Sequence, residues 1–159
     1  MRGKQREIRR TDGFTLIEVM VVMIILAVLA AIAIPAFSAW LPRYRLKRAA
    51  TDLHSNMQLA RLSAVKANAS RDVAFSAGQY VISGVNKTVI LSGYGSGVKF
   101  DGPSGETYSI SPVTFSSRGM SSGNAYVYLS NDTHSGYYRV GVLTSGVMKL
   151  ERWNGSGWE

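Results

Sequence analysis

From Phe14 to Leu41 the chain is apolar for 28 residues, and Glu18 is its one ionisable side chain. As a helix that run measures roughly 42 Å, whereas a bilayer core needs only about 20 residues. After Pro42 the pattern changes. Leu46, Ala50, Leu53, Met57, Ala60 and Ala64 recur at spacings of four and three, which predicts an amphipathic helix with one apolar stripe. Arg45, Arg48, Asp52, Ser55 and Arg61 fall elsewhere around it. Pro35 and Pro42 each remove a backbone donor and are expected to kink or interrupt the helix. From Asp72 onward, short alternating runs are separated by Gly, Ser and Asn turn signals. They predict strands over 73–76, 80–83, 88–92, 98–100, 107–110, 125–130, 137–143 and 147–153. Tyr126, Tyr128 and Tyr138 read as cover for a sheet face.

The expected fold class is therefore α+β, with a long N-terminal helix packed on a C-terminal antiparallel sheet domain. Four segments follow: a basic leader over 1–13, a membrane-spanning helix over 14–41, its amphipathic continuation over 42–70, and a β-rich globular domain over 71–159. The tail from Trp153 to Glu159 is spaced by Gly and Ser, so it either frays or docks Trp153 and Trp158 on a partner.

Charge sharpens this picture. The net +8 is unevenly spread: +3 over 1–13, +6 over 43–71 and zero over 72–159. Arg2, Lys4, Arg6, Arg9 and Arg10 precede the apolar run and predict a cytoplasmic N-terminus, with the C-terminal domain on the far side of the membrane. Arg43, Arg45, Lys47 and Arg48 place positive charge on the other flank as well, as a solvated face that touches lipid headgroups. A neutral C-terminal domain is a poor footprint for a dedicated nucleic-acid binder. There is no cysteine, so disulfide scaffolds, thiol catalysis and Cys-based zinc sites are excluded.

Glu18 needs a reason. A carboxylate costs about 2.5 to 3.5 kcal/mol at the centre of a membrane helix. Nearer the end it is tolerated by snorkelling, or else it meets a partner charge. A cut between Gly13 and Phe14 would supply that partner, as a new α-amino group four residues from Glu18. A removable secretory signal would instead have a shorter apolar region ending in a small-residue cleavage site.

Gly13-Phe14-Thr15-Leu16-Ile17-Glu18, after a short basic leader and before an unbroken apolar helix, resembles the class III signal of type IV pilins and pseudopilins. The resemblance implies cleavage after Gly13 by a prepilin peptidase, N-methylation of Phe14, and pairing of Glu18 with the Phe14 amine of an adjacent subunit, which sets the axial register of a filament. Pro35 stands where this family has its helix-bending proline. A narrower likeness comes from Asn56-Met57-Gln58-Leu59-Ala60-Arg61 with Ala64-Val65-Lys66 and Asn68, a segment similar to that of the minor pseudopilin H of type II secretion and related minor type IV pilins. Leu62 and Ser63 depart from that subfamily's usual Ser and Glu. Phe115-Ser116-Ser117-Arg118-Gly119 resembles another of its features, an apolar anchor followed by a glycine-permitted turn.

The implied role is a structural subunit of a type II secretion pseudopilus or a type IV pilus. Its partners would be the peptidase and methyltransferase, other pilin-like subunits and, before assembly, inner-membrane lipid. One alternative is a DNA-binding minor pilin, but the last hairpin, Gly146-Val147-Met148-Lys149, holds a single basic residue. The other is a signal-anchored periplasmic enzyme or binding domain, which requires converging polar groups in a pocket. His54 and His134 have no metal-ligand spacing, Asp101, Glu106 and Asp132 sit in turn-like contexts, and no phosphate loop or G-x-S-x-G occurs. Neither catalytic residues nor cofactors are expected.

Overall fold

The computed structural model describes residues 13–95, 97–133 and 136–159, with the backbone alone at Ala39. The leader over 1–12 and His134 lie outside the described residues. The chain divides into two compact units at Ser38/Ala39. One helix, α1, runs Leu16–Lys66 and contributes to both. The helix runs through Pro35 and Pro42 as one uninterrupted element, although each proline lacks the N–H that would bond the carbonyl four residues back.

In the first unit the apolar side chains of α1 stand exposed from Leu16 to Phe37, and the helix is long and apolar enough to cross a membrane. In the second unit α1 is amphipathic. Leu46, Ala50, Leu53, Met57, Ala60 and Ala64 are all essentially fully buried, joined by Ala49. The expected stripe is therefore the one that packs. α1 closes on Asn68, whose φ of 45° is left-handed. Ala69 N–H bonds to Ala64 C=O and Asn68 N–H to Val65 C=O, the pairing by which a helix end satisfies its last carbonyls.

Among the described residues seven strands follow: β1 Arg71–Ser76, β2 Gln79–Ile82, β3 Lys87–Ile90, β4 Val113–Phe115, β5 Ala125–Ser130, β6 Tyr137–Val142 and β7 Met148–Arg152. They form a four-stranded sheet in the order β3-β2-β1-β4 and a three-stranded sheet in the order β5-β6-β7, with antiparallel pairing throughout. The inward positions of both sheets, among them Val73, Tyr80, Ile82, Val113, Phe115, Val127, Leu129, Val140 and Val142, join the α1 stripe in one core. Phe75, Phe100 and Tyr108 add an aromatic cluster with ring centroids 5.6–5.8 Å apart.

Three expectations need correction. Segments 98–100 and 107–110 are not strands of a sheet. Both lie along the free edge of β5, through Lys99–Ser130 and Tyr108–Val127 bridges, and the turn from Gly102 to Glu106 breaks the ladder between them. The run over 88–92 stops as a strand at Ile90 and turns into a short 3-10 helix, Leu91–Tyr94. The tail does not fray but folds back on the domain. Trp153 and Trp158 bridge each other, Arg152 and Glu159 exchange both backbone hydrogen bonds, and the Trp158 ring lies 4.5 Å from the Arg139 guanidinium. β4 was not foreseen at all.

Candidate functional site

The start of α1 gathers the residues that the sequence singles out. Gly13, Phe14 and Thr15 precede the helix, with Thr15 next to its first turn. Glu18 N–H lies 3.1 Å from Thr15 C=O and 3.3 Å from Thr15 Oγ1. Thr15 thus acts as the N-cap, satisfying a donor that the helix start leaves orphaned. Thr-x-x-Glu is also the spacing of a capping box, a local signal that the apolar periodicity conceals. Glu18 lies in the first turn of α1, where the positive end of the helix dipole favours a carboxylate.

Phe14 is 83% exposed. Together with Glu18, Val19, Val22 and Met23 it lines a shallow apolar cleft of about 260 Å³. Glu18 is the one charged side chain among those lining residues. The arrangement presents an acid, a large aromatic ring and an apolar helix face on one surface. Pro35 and Pro42 lie farther along α1, apart from this cleft in the sequence, and Ser38 Oγ donates to Pro35 C=O at 2.9 Å.

In the second unit the Phe115–Gly119 feature has the form expected of it. Phe115 is fully buried, and Gly119 turns with φ of 75°. Arg61, which the sequence places off the apolar stripe, donates from Nε to Gly119 C=O at 2.9 Å. Gly146 presses on the same carbonyl, where a Cβ would come within 2.0 Å of it. Arg118 and Lys149 are exposed. A cleft of about 390 Å³ beside them is lined by Gln58, Arg61, Leu62, Val65, Gly146 and Met148, so its one ionisable group is the arginine already held by Gly119.

The titratable cluster that sequence reading missed is internal. Asn56 Nδ2 donates to Tyr80 Oη at 2.7 Å, and Tyr94 and Asp52 lie near enough to that phenol to interact with it electrostatically. Burial pushes both phenols up, and the Asp52 carboxylate adds to the rise at Tyr94. Its members come from α1, β2 and the 3-10 helix, so no local pattern connects them. His54 sits on the helix surface with Gln58 Nε2 3.5 Å away. Among the described residues no three His, Asp or Glu side chains gather as metal ligands.

The description "Prokaryotic N-terminal methylation motif" matches residues 8–34, which include Gly13, Phe14 and Glu18. The description "Type II transport protein GspH" matches residues 49–146. The chain belongs to the GspH family. No curated protein matches it. Among solved structures it is similar to the type IV minor pilin FimU of Pseudomonas aeruginosa, with a TM-score of 0.56 and 15% identity over 74% of this chain and 94% of that one. At that identity the likeness shows the fold, a pilin-like α+β architecture. GspH membership, together with the methylation motif, makes the chain a minor pilin or pseudopilin, as the resemblance implied.

Proposed function

We propose that this GspH-family chain is made as an inner-membrane precursor, cut by a prepilin peptidase between Gly13 and Phe14, N-methylated on Phe14 and inserted in a pseudopilus or pilus. The observation that carries the reading is the shared cleft of Phe14 and Glu18 at the capped start of α1. Cleavage creates an amino group at Phe14, on the surface where Glu18 already stands. In a filament the Glu18 carboxylate of one subunit pairs with the Phe14 amine of its neighbour, and each charge cancels the other's desolvation cost.

The exposed apolar surface of α1 from Leu16 to Phe37 suits two successive environments, lipid before assembly and the packed helices of the filament core afterwards. Pro35 and Pro42 are the bending points in this reading. Their missing N–H groups leave the carbonyls of Ala31 and Ser38 without the usual helical donor. The N-terminus stays cytoplasmic and the β-rich domain is periplasmic. The role is assembly rather than catalysis, and the matched family description favours type II secretion as the host.

Intact-mass measurement and N-terminal sequencing of membrane-extracted protein, with and without prepilin peptidase, test the proposal. A mature chain beginning at N-methylated Phe14 is expected. An uncut chain in the presence of active peptidase overturns it.

A further inference from the structure

The apolar run is longer than a bilayer core is thick. Phe14 to Leu41 measures roughly 42 Å as helix, against about 30 Å of hydrocarbon. The excess, about 12 Å, lets such a helix slide or tilt unless something marks its depth. Nineteen residue steps separate Glu18 from Phe37, which is about 29 Å of helix. A helix whose hydrocarbon-spanning stretch ended at Phe37 would hold Glu18 at the opposite headgroup layer. The residues just beyond Phe37 therefore decide where the acid lies.

Those residues form a distinct stripe in the second unit. Trp40, Arg43, Tyr44 and Lys47 stand at i, i+3, i+4 and i+7 on α1, one face of the helix. The Trp40 and Tyr44 rings stack with centroids 4.9 Å apart and planes at 22°. They remain 53% and 50% exposed. This face differs from the one packed on the sheets, which carries Leu46, Ala49, Ala50 and Leu53. The neighbouring cations are engaged within the domain: Arg48 lies 4.0 Å from Asp52, and Arg45 packs over Gly95, where a Cβ would meet its Cδ at 2.8 Å. Arg43 and Lys47 are exposed, and among the described residues neither reaches a carboxylate.

We propose that Trp40, Arg43, Tyr44 and Lys47 form a headgroup clamp, a stripe of α1 that seats in an anionic phospholipid surface and sets the depth of the apolar run. The chemistry fits each side chain. Indole and phenol place an apolar ring against acyl chains and a polar edge at the headgroup level. Guanidinium and ammonium snorkel to phosphate. The stripe is continuous in sequence with the membrane-length run, and its lysine, a residue type depleted at protein interfaces, joins the arginine as a ligand for anionic headgroups. Before assembly the clamp holds Glu18 at the cytoplasmic headgroup layer, where its charge stays hydrated and the Gly13–Phe14 bond stays within reach of a membrane-bound peptidase. This inference rests on the membrane reading proposed above.

The cysteine-free sequence permits a clean test with single cysteines and a membrane-impermeant maleimide. The full chain is placed in phosphatidylethanolamine–phosphatidylglycerol vesicles with Val28→Cys, Phe37→Cys or Thr51→Cys. Thr51→Cys is expected to react quickly, and Val28→Cys and Phe37→Cys to be protected. Adding Trp40→Ala/Tyr44→Ala should raise Phe37→Cys labelling about tenfold, as the helix samples positions about one turn away. Arg43→Gln/Lys47→Gln should do the same, as should neutral phosphatidylcholine vesicles with the stripe intact. A Phe37→Cys rate unmoved by the aromatic pair, or equal in the two lipids, overturns the clamp while protected Val28→Cys leaves the membrane reading standing. Val28→Cys reacting as fast as Thr51→Cys overturns both. Spontaneous disulfides between Tyr44→Cys chains at high lipid-to-protein ratio would give the stripe to a second copy and also overturn the clamp.

Discussion

Lys87 Nζ donates to Asn56 Oδ1 at 2.9 Å, so the first residue of β3 is tied to the buried face of α1. The same amide donates from Nδ2 to Tyr80 Oη at 2.7 Å. Asn56 therefore links helix, β2 and β3 with both ends of one side chain. Asn56→Ala removes the acceptor of Lys87 and the donor to Tyr80 together. The expected cost is about 1–3 kcal/mol, read as a lower denaturant midpoint of the full chain in detergent. Lys87→Met leaves the Tyr80 bond in place and should cost less than Asn56→Ala.

Alkaline pH should loosen the same region. The phenols of Tyr80 and Tyr94 are raised mainly by burial, with the Asp52 carboxylate adding to the rise at Tyr94. An unfolded tyrosine titrates near about 10. The folded state thus holds the proton to higher pH, and its contribution to stability is complete below about pH 10 and declines above it as the unfolded phenols ionise. Melting temperatures measured from pH 8 to 11 should fall more steeply for the natural chain than for Tyr94→Phe. Parallel slopes would count against the raised phenol.

Gly146 and Gly78 separate strain from collision. Both have left-handed φ, 80° and 74°. At Gly78 a Cβ meets nothing within 4 Å, whereas at Gly146 it meets the Gly119 carbonyl at 2.0 Å. Gly78→Ala should cost about 1 kcal/mol, the price of the dihedral alone. Gly146→Ala should cost clearly more and should also disturb the Arg61–Gly119 contact, as hydrogen exchange at the 116–120 turn would report.

Trp158 covers an ion pair. Arg139 Nε lies 2.6 Å from Glu151 Oε2, and its guanidinium stands between the rings of Tyr126 at 4.9 Å and Trp158 at 4.5 Å. Trp158→Ala should destabilise the domain by about 1 kcal/mol and speed amide exchange at Arg152 and Trp153. A tail that exchanged equally fast in both proteins would contradict the packing described above.

Glu18→Ala should separate processing from assembly. In the proposed pathway cleavage and methylation read the chain around Gly13–Phe14, so the variant is expected to mature normally by intact mass. Its recovery in sheared filaments should drop, because in that pathway the Phe14 amine of a neighbour loses its carboxylate.

Legibility followed the reach of each interaction. The α1 stripe was readable because a 3.6-residue period repeats over five turns, and each predicted position from Leu46 to Ala64 is buried. β5 was readable to the residue, since its alternation holds from Ala125 to Leu129. β4 was missed because three residues behind Pro112 are too short to show alternation. Segments 98–100 and 107–110 alternate like strands, yet a turn divides their one ladder. The Asn56–Tyr80–Tyr94 network depends on contacts between distant segments, and no spacing announces it. The N-terminal residues, by contrast, stand within six consecutive positions, Gly13 to Glu18, so the motif they belong to was legible before any fold. Their cap, Thr15, was overlooked inside the same six.

The segments that line β5 have a consequence for crowding. Lys99, Asp101, Thr107 and Ser109 occupy the backbone groups along that edge, and Ser121 and Ser122 do the same beside β4. Among the described residues two outer strands keep open edges: β3, four residues long and beginning with a lysine, and β7, whose outer side is paired by the tail at Arg152. Bare sheet edges invite strand addition from neighbouring chains. Between copies of this domain held side by side at high local concentration, strand addition is thus confined to these two short edges, and along β5 and β4 contact is left to side chains.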